Sequence, residues 1–258
     1  MSENGAGGLP EGLSIRCRGV GKRYTLGWEL SLQHTLNTIV RRGGDLETFW
    51  ALRDVSFEVP RGEFFGIVGA NGSGKSTLTA LVSGIAVPDA GRIEVRGRVL
   101  PLLELGAGFN GDLTGRENVM LLGAILGLQP SAVRAEMDRV AEFAGPQVQR
   151  HLDSPLKRYS SGMSARLGFA TAVCFPADVY IFDEVLSVVD DSFRARCAEE
   201  LRRLNEEGST VLFMSHDLNL VRSICSAGMF LERGRVRYTG SMQEVAEAYS
   251  SAPVIDAR

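Results

Sequence analysis

The chain has 258 residues, 44% hydrophobic and 23% charged, with a formal net charge of −3 at pH 7. That is enough to bury one sizeable core plus a smaller subdomain, while the slightly acidic balance lacks the basic footprint of a nucleic-acid partner and no run approaches the roughly eighteen apolar residues of a membrane span. No charged-then-apolar leader opens the chain, so a cytoplasmic location is expected, and Cys17, Cys174, Cys197 and Cys225 lack CxxC spacing and read as reduced thiols.

Residues 1–13, MSENGAGGLPEGL, are Gly-rich and polar and read as a flexible tail before a single domain, 14–258. From Ser14 onward, β-type runs alternate with helical patterns. IRCRGV, VSFEV and FFGIV come first, then VYIFD, TVLFM and GMFLERGRVRYTG. The alternation predicts an α/β sandwich with a largely parallel central sheet. Residues 25–50 interrupt it as an insertion. There Trp28, Leu32, Leu36, Ile39 and Val40 share one helical face, and Arg41-Arg42-Gly43-Gly44 forms a stop. Residues about 105–176 read as consecutive helices, 116–127, 131–144 and 163–175, an inserted helical subdomain. Arg116, Glu117 and Asn118 open the first of these and read as a solvated first turn.

The stretch Gly69-Ala70-Asn71-Gly72-Ser73-Gly74-Lys75-Ser76 matches GxxxxGK[ST], after the FFGIV strand and before the helix opened by Ser76 and Thr77. Glycines let such a loop turn its N–H groups inward on a phosphate chain. Lys75 then supplies positive charge for the β/γ-phosphates, and Ser76 can ligate Mg²⁺. A triphosphate also needs a metal partner and a group that organises water. The strand Val179-Tyr180-Ile181-Phe182 ends in Asp183 and Glu184, read as Mg²⁺ ligand and general base. The strand Thr210 to Met214 ends in Ser215-His216, with His216 read as a γ-phosphate sensor. A second anion-site pattern, Tyr159-Ser160-Ser161-Gly162-Met163, opens an apolar helix about eighty residues after the first.

Taken in this order, the motifs resemble the nucleotide-binding subunit of ABC transporters over about residues 15–250. The resemblance implies an α/β P-loop NTPase core of ABC ATPase type, with an inserted helical subdomain and an antiparallel β subdomain. It implies ATP and Mg²⁺ as ligands and a head-to-tail dimer in which Ser160, Ser161 and Gly162 of one copy cover the nucleotide held by the other. Glu184 matches the family's catalytic glutamate, His216 its switch histidine and Asp190 its D-loop aspartate, while Tyr24 matches the aromatic that stacks on adenine. The signature departs from LSGGQ at Ser161 and Met163, and Glu104 stands where a glutamine is usual, as a metal or coupling residue. LLELGAGF, LTGREN and YSSGM are similar to the ATPases that export lipid-linked polysaccharides of O-antigen, teichoic acid or galactan type. That implies a separate membrane permease, a lipid-linked glycan substrate and a peripheral place on the cytoplasmic membrane face. No C-terminal carbohydrate-binding domain is expected. On this resemblance, residues 25–50 lie either on the protein's own core or near the membrane surface, and 116–118 gain a second reading in permease coupling. A soluble ABC-type ATPase is the alternative function.

Overall fold

The computed structural model describes residues 9–25, 48–102, 108–183, 191–215 and 217–252. Four short apolar strands form its centre: β3 (Phe64–Val68), β6 (Val179–Asp183), β7 (Thr210–Ser215) and β8 (Ala227–Glu232). Alternate residues of a strand point to opposite faces, and here both faces are covered. Phe64, Tyr180, Phe182, Val211 and Phe213 join one core cluster, whereas Phe65, Ile67, Ile181, Leu212 and Met214 join a second. Such continuous apolar runs are expected of a parallel sheet buried on both sides.

With β5 (Val99–Leu102) and β9 (Arg235–Ser241), these strands form a six-stranded sheet of order β5-β6-β7-β3-β8-β9. Every pairing is parallel except that of β8 with β9. Val68 pairs with Ser215 and Asp183 with Met214, so β3, β6 and β7 deliver their carboxyl ends to one edge. Helix α1 (Lys75–Val82) follows β3 and packs on the second core cluster through Leu78, Leu81 and Val82.

A smaller antiparallel sheet of order β2-β1-β4 covers that cluster. It is built from β1 (Leu13–Thr25), β2 (Thr48–Pro60) and β4 (Ala90–Val95). Pairing of β1 with β2 continues through Arg23↔Trp50, Tyr24↔Phe49 and Thr25↔Thr48. The ends of the expected 25–50 insertion therefore belong to a β-ribbon, for which the aromatic and β-branched residues at 48–50 are well suited. Leu32, Leu36 and Ile39, on which the amphipathic reading rests, lie outside the described residues.

Helices α2 (Gly115–Ile125), α3 (Pro130–Ala144), α4 (Pro146–His151) and α5 (Ser161–Cys174) make up the helical insertion. They bury Val119, Val133, Met137, Val140 and Leu167 against one another. The first turn of α2 is structural. Thr114 and Glu117 form a capping box and Arg116 pairs with Asp153. Asn118 is wholly buried, accepting from Asn110 N and donating to the carbonyls of Asn110, Leu113 and Thr114. The solvated-turn reading thus holds for Arg116 and Glu117 and fails for Asn118, whose amide replaces water with backbone partners.

An aromatic chain ties the insertion to the sheet. Phe169 of α5 lies 5.7 Å from Phe182 of β6, and Phe143 of α3 lies 5.7 Å from Phe193. Phe193 belongs to α6 (Asp191–Glu206), which together with α7 (Leu218–Ile224) and α8 (Met242–Ser251) completes the described helices. All four cysteines are buried, and burial pushes the Cys17 and Cys174 thiols up to about 12. That keeps them as unreactive thiols.

Candidate functional site

The phosphate loop leaves β3 at Val68 and enters α1 at Lys75. Its shape is imposed by neighbours on the small sheet. Gly74 has φ 109°, and a Cβ there would stand 2.7 Å from Leu52 Cδ2 and 2.8 Å from Ala51 O. Only glycine accepts both the backbone conformation and the contact. The Gly234 amide donates to Ser73 O at 2.8 Å, and the Ser73 amide donates to Ala70 O at 3.1 Å, which closes the loop. No side chain caps α1, so the first-turn N–H groups and the positive end of the helix face the loop.

Lys75 is buried and folds across the loop, its Nζ donating to Gly69 O at 2.7 Å and Ala70 O at 3.2 Å. Ser73 Oγ is buried and has no hydrogen-bond partner. A cradle of inward amides, a folded-back cation and an orphaned hydroxyl fits a polyanion. Asn71, Gly72 and Ser76 are exposed at its mouth and Thr77 is partly buried.

Asp183 ends β6 beside this helix. Thr79, one turn along α1 from Lys75 and Ser76, places its hydroxyl 3.5 Å from Asp183 Oδ2. A serine hydroxyl and a carboxylate on adjacent elements form a hard-oxygen donor pair. Mg²⁺ suits such a pair, because it keeps several waters and takes its remaining ligands from phosphate oxygens. Among the described residues no group of three or more His, Cys, Asp or Glu side chains could hold a metal without substrate. Ser215, at the end of β7, is buried and accepts from Asp217 N, while Asp217 caps α7 through Asn219 N and Leu220 N. Glu104, Glu184, Asp190 and His216 lie outside the described residues.

Tyr24 is found on the β1–β2 ribbon, 6.0 Å from Phe49 between ring centroids. Both rings are exposed, and β2 residues Ala51 and Leu52 of the same ribbon line Gly74. An aromatic surface therefore flanks the phosphate loop. Phe49 was not singled out from sequence, although its cross-strand place opposite Tyr24 is a signal once the hairpin is recognised.

The second anion pattern sits on the helical insertion. Ser160 caps α5, its hydroxyl accepting from Met163 N at 3.2 Å, and Ser160 and Ser161 are exposed. A Cβ built on Gly162 meets nothing within 4 Å. The space a side chain would take there is open among the described residues. By contrast, a cavity of about 440 Å³ lined by Phe64, Leu201, Leu220, Ile224, Arg194 and Arg202 contains none of the sequence-predicted site residues. It lies between α6 and α7, away from the phosphate chemistry.

Comparison with known proteins adds context to this geometry. The sequence profile of the family described as ABC transporter matches residues 52–187. ABC transporter protein AbcA of Aeromonas salmonicida is 42% identical over 88% of this chain and 71% of its own length. The O-antigen export system ATP-binding protein RfbB of Klebsiella pneumoniae is 41% identical over 79% and 82%. The teichoic acids export ATP-binding protein TagH of Bacillus cereus is 39% identical over 92% of this chain, which spans 42% of TagH. Among solved structures, an ATP-binding subunit of an ABC transporter superposes with a TM-score of 0.74 at 21% identity, covering 92% of this chain and 93% of the other. A dimeric ATP-binding cassette in a post-hydrolysis state with ADP and Pi gives 0.71 at 21% identity, covering 88% and 98%.

Proposed function

The chain belongs to the ABC transporter ATP-binding family, and on that premise we propose that it powers export of a lipid-linked polysaccharide of O-antigen, teichoic acid or galactan type through a separate membrane permease. What supports the export reading is its likeness to RfbB and TagH, proteins named for those systems. No helix among the described residues is long and apolar enough to cross a membrane. On the export reading, the subunit sits on the cytoplasmic membrane face through its permease.

Two copies act as a head-to-tail dimer with two ATP molecules between them. The single observation that carries this is the open α5 N-terminus: Ser160 and Ser161 are exposed, and among the described residues nothing stands within 4 Å of where a Cβ on Gly162 would lie. In the dimer these residues meet the phosphates held by the partner. In the same copy, Lys75 exchanges its loop carbonyls for the β/γ-phosphates and the amides of residues 71–77 receive the remaining phosphate oxygens. Ser76 and Asp183 would hold Mg²⁺, which would supply charge neutralisation for the phosphates, and Glu104 would either join them or relay subdomain motion. Glu184 orients and deprotonates the attacking water, His216 holds the γ-phosphate side, Tyr24 stacks on adenine, and Asp190 lies at the dimer seam.

The test combines two readouts on Glu184→Gln. ATP should drive a stable dimer on size-exclusion chromatography while hydrolysis is nearly abolished. Normal turnover in that variant would remove the assignment. Export itself is tested by deleting the gene and following the cell-surface glycan, with the precursor accumulating on the cytoplasmic side.

A further inference from the structure

Thr79 has no place in the sequence motifs, yet it is a polar group that reaches from the phosphate-loop helix to the strand carboxylate. Its side chain is completely buried in α1 between β6 and β7. The surrounding cluster is otherwise apolar, with Ile67, Leu78, Leu81, Ile181 and Met214. Burying a hydroxyl in such a slot is unfavourable unless it makes hydrogen bonds, and an aliphatic side chain of similar volume would satisfy the packing. The hydroxyl has a single proton and three acceptors in range. Lys75 O lies at 3.1 Å, Met214 Sδ at 2.8 Å and Asp183 Oδ2 at 3.5 Å.

The carbonyl contact is the ordinary back-bond of a threonine within a helix. A carboxylate is a stronger acceptor than either a carbonyl or a thioether. Rotation of the hydroxyl can therefore redirect its hydrogen bond to Asp183 Oδ2, which already lies at 3.5 Å. Thr79 comes three residues after Ser76, so the same helix carries both the proposed Mg²⁺ ligand and the group that touches the other ligand from behind.

We infer that Thr79 is a positioning residue for divalent-cation binding: its hydroxyl holds Asp183 Oδ2 and thereby leaves the other carboxylate oxygen directed to the cation. The inference rests on the proposed role of Asp183 in holding Mg²⁺. Partners one bond removed from a metal ligand typically change metal affinity by about 10- to 100-fold.

The experiment is equilibrium binding of a fluorescent ATP analogue to the full chain, titrated with Mg²⁺ and repeated in EDTA. Thr79→Val keeps the shape and removes the hydroxyl, and Thr79→Ser keeps the hydroxyl. The expected result is a Mg²⁺ half-saturation raised about 10-fold in Thr79→Val, unchanged metal-free nucleotide affinity, and recovery in Thr79→Ser. A Thr79→Val protein with the wild-type Mg²⁺ dependence overturns the inference. So does a loss of metal-free binding or a Thr79→Ser protein as impaired as Thr79→Val, since either indicates packing alone. Asp183→Asn separates the two levels: if it leaves the Mg²⁺ dependence unchanged, the reading of Asp183 itself fails, and the inference with it.

Discussion

The two anion-binding stretches of this chain differ in what demands their glycines. At the phosphate loop the demand is internal, because a Cβ on Gly74 would strike Leu52 and Ala51 and its φ of 109° disfavours any other residue. At the start of α5 the demand is not internal at all. Gly162 lies in a helix, where glycine is less favourable than alanine by roughly 0.5–1 kcal/mol, and a Cβ there would enter open space. A glycine that costs stability and relieves no contact among the described residues of its own chain points to a contact outside them. The loop of the first site is thus shaped within one copy, and on the proposed reading the second is a surface for a phosphate held by another copy.

Substitutions can break this contrast or sharpen it. The largest effect is expected from Glu184→Gln, which removes the proposed base but neither proposed anion site; steady-state hydrolysis should fall by about 10²- to 10⁴-fold with ATP affinity retained. Gly74→Ala comes next. Strain at a left-handed position plus the clash with Leu52 should lower unfolding stability by about 1–3 kcal/mol, read by urea denaturation, and should weaken ATP binding in the same protein. Gly162→Ala should do the opposite to stability, raising it by roughly 0.5–1 kcal/mol, while hydrolysis falls. A Gly162→Ala protein that is both more stable and fully active would remove the contrast. At the cap the expected effect is on stability, and the smallest effect of all falls on its neighbour. Ser160→Ala should cost about 1 kcal/mol through loss of the bond to Met163 N, while Ser161→Ala, at an exposed position, should stay within roughly 0.5 kcal/mol.

Much of this architecture was legible because its signals are short-range and strict. The phosphate loop was found from spacing alone, and strands such as VYIFD and TVLFM were found from unbroken apolar runs between helices. The helical insertion was visible too, with the expected helices at 131–144 and 163–175 observed as Pro130–Ala144 and Ser161–Cys174. What was not legible depends on distant partners. β4 has no fully buried residue and pairs along one edge of β1, so it carries no apolar signature. β5 has only four residues, one of them Pro101, which its place at the edge of the sheet tolerates. Asn118 looked like a solvated residue because its partners are carbonyls of a loop that sequence does not fold. Thr79 carries no motif signal for the same reason, since Asp183 and Met214 approach it only through the parallel sheet.

The central claim is that the α5 surface of one copy completes the phosphate loop of another, and mixing two inactive variants tests it most directly. Lys75→Ala disables the loop, whereas Gly162→Asp leaves the loop intact and places a carboxylate where a partner's phosphate should dock. An acidic residue in the first turn of a helix is compatible with folding. Each variant alone has no complete site, but a mixed dimer has one, formed by the loop of the Gly162→Asp copy and the α5 surface of the Lys75→Ala copy. The account predicts that ATP hydrolysis reappears on mixing and scales with the fraction of mixed dimer. Hydrolysis that stays at the level of the separate variants, with mixed dimers shown to form, would contradict it.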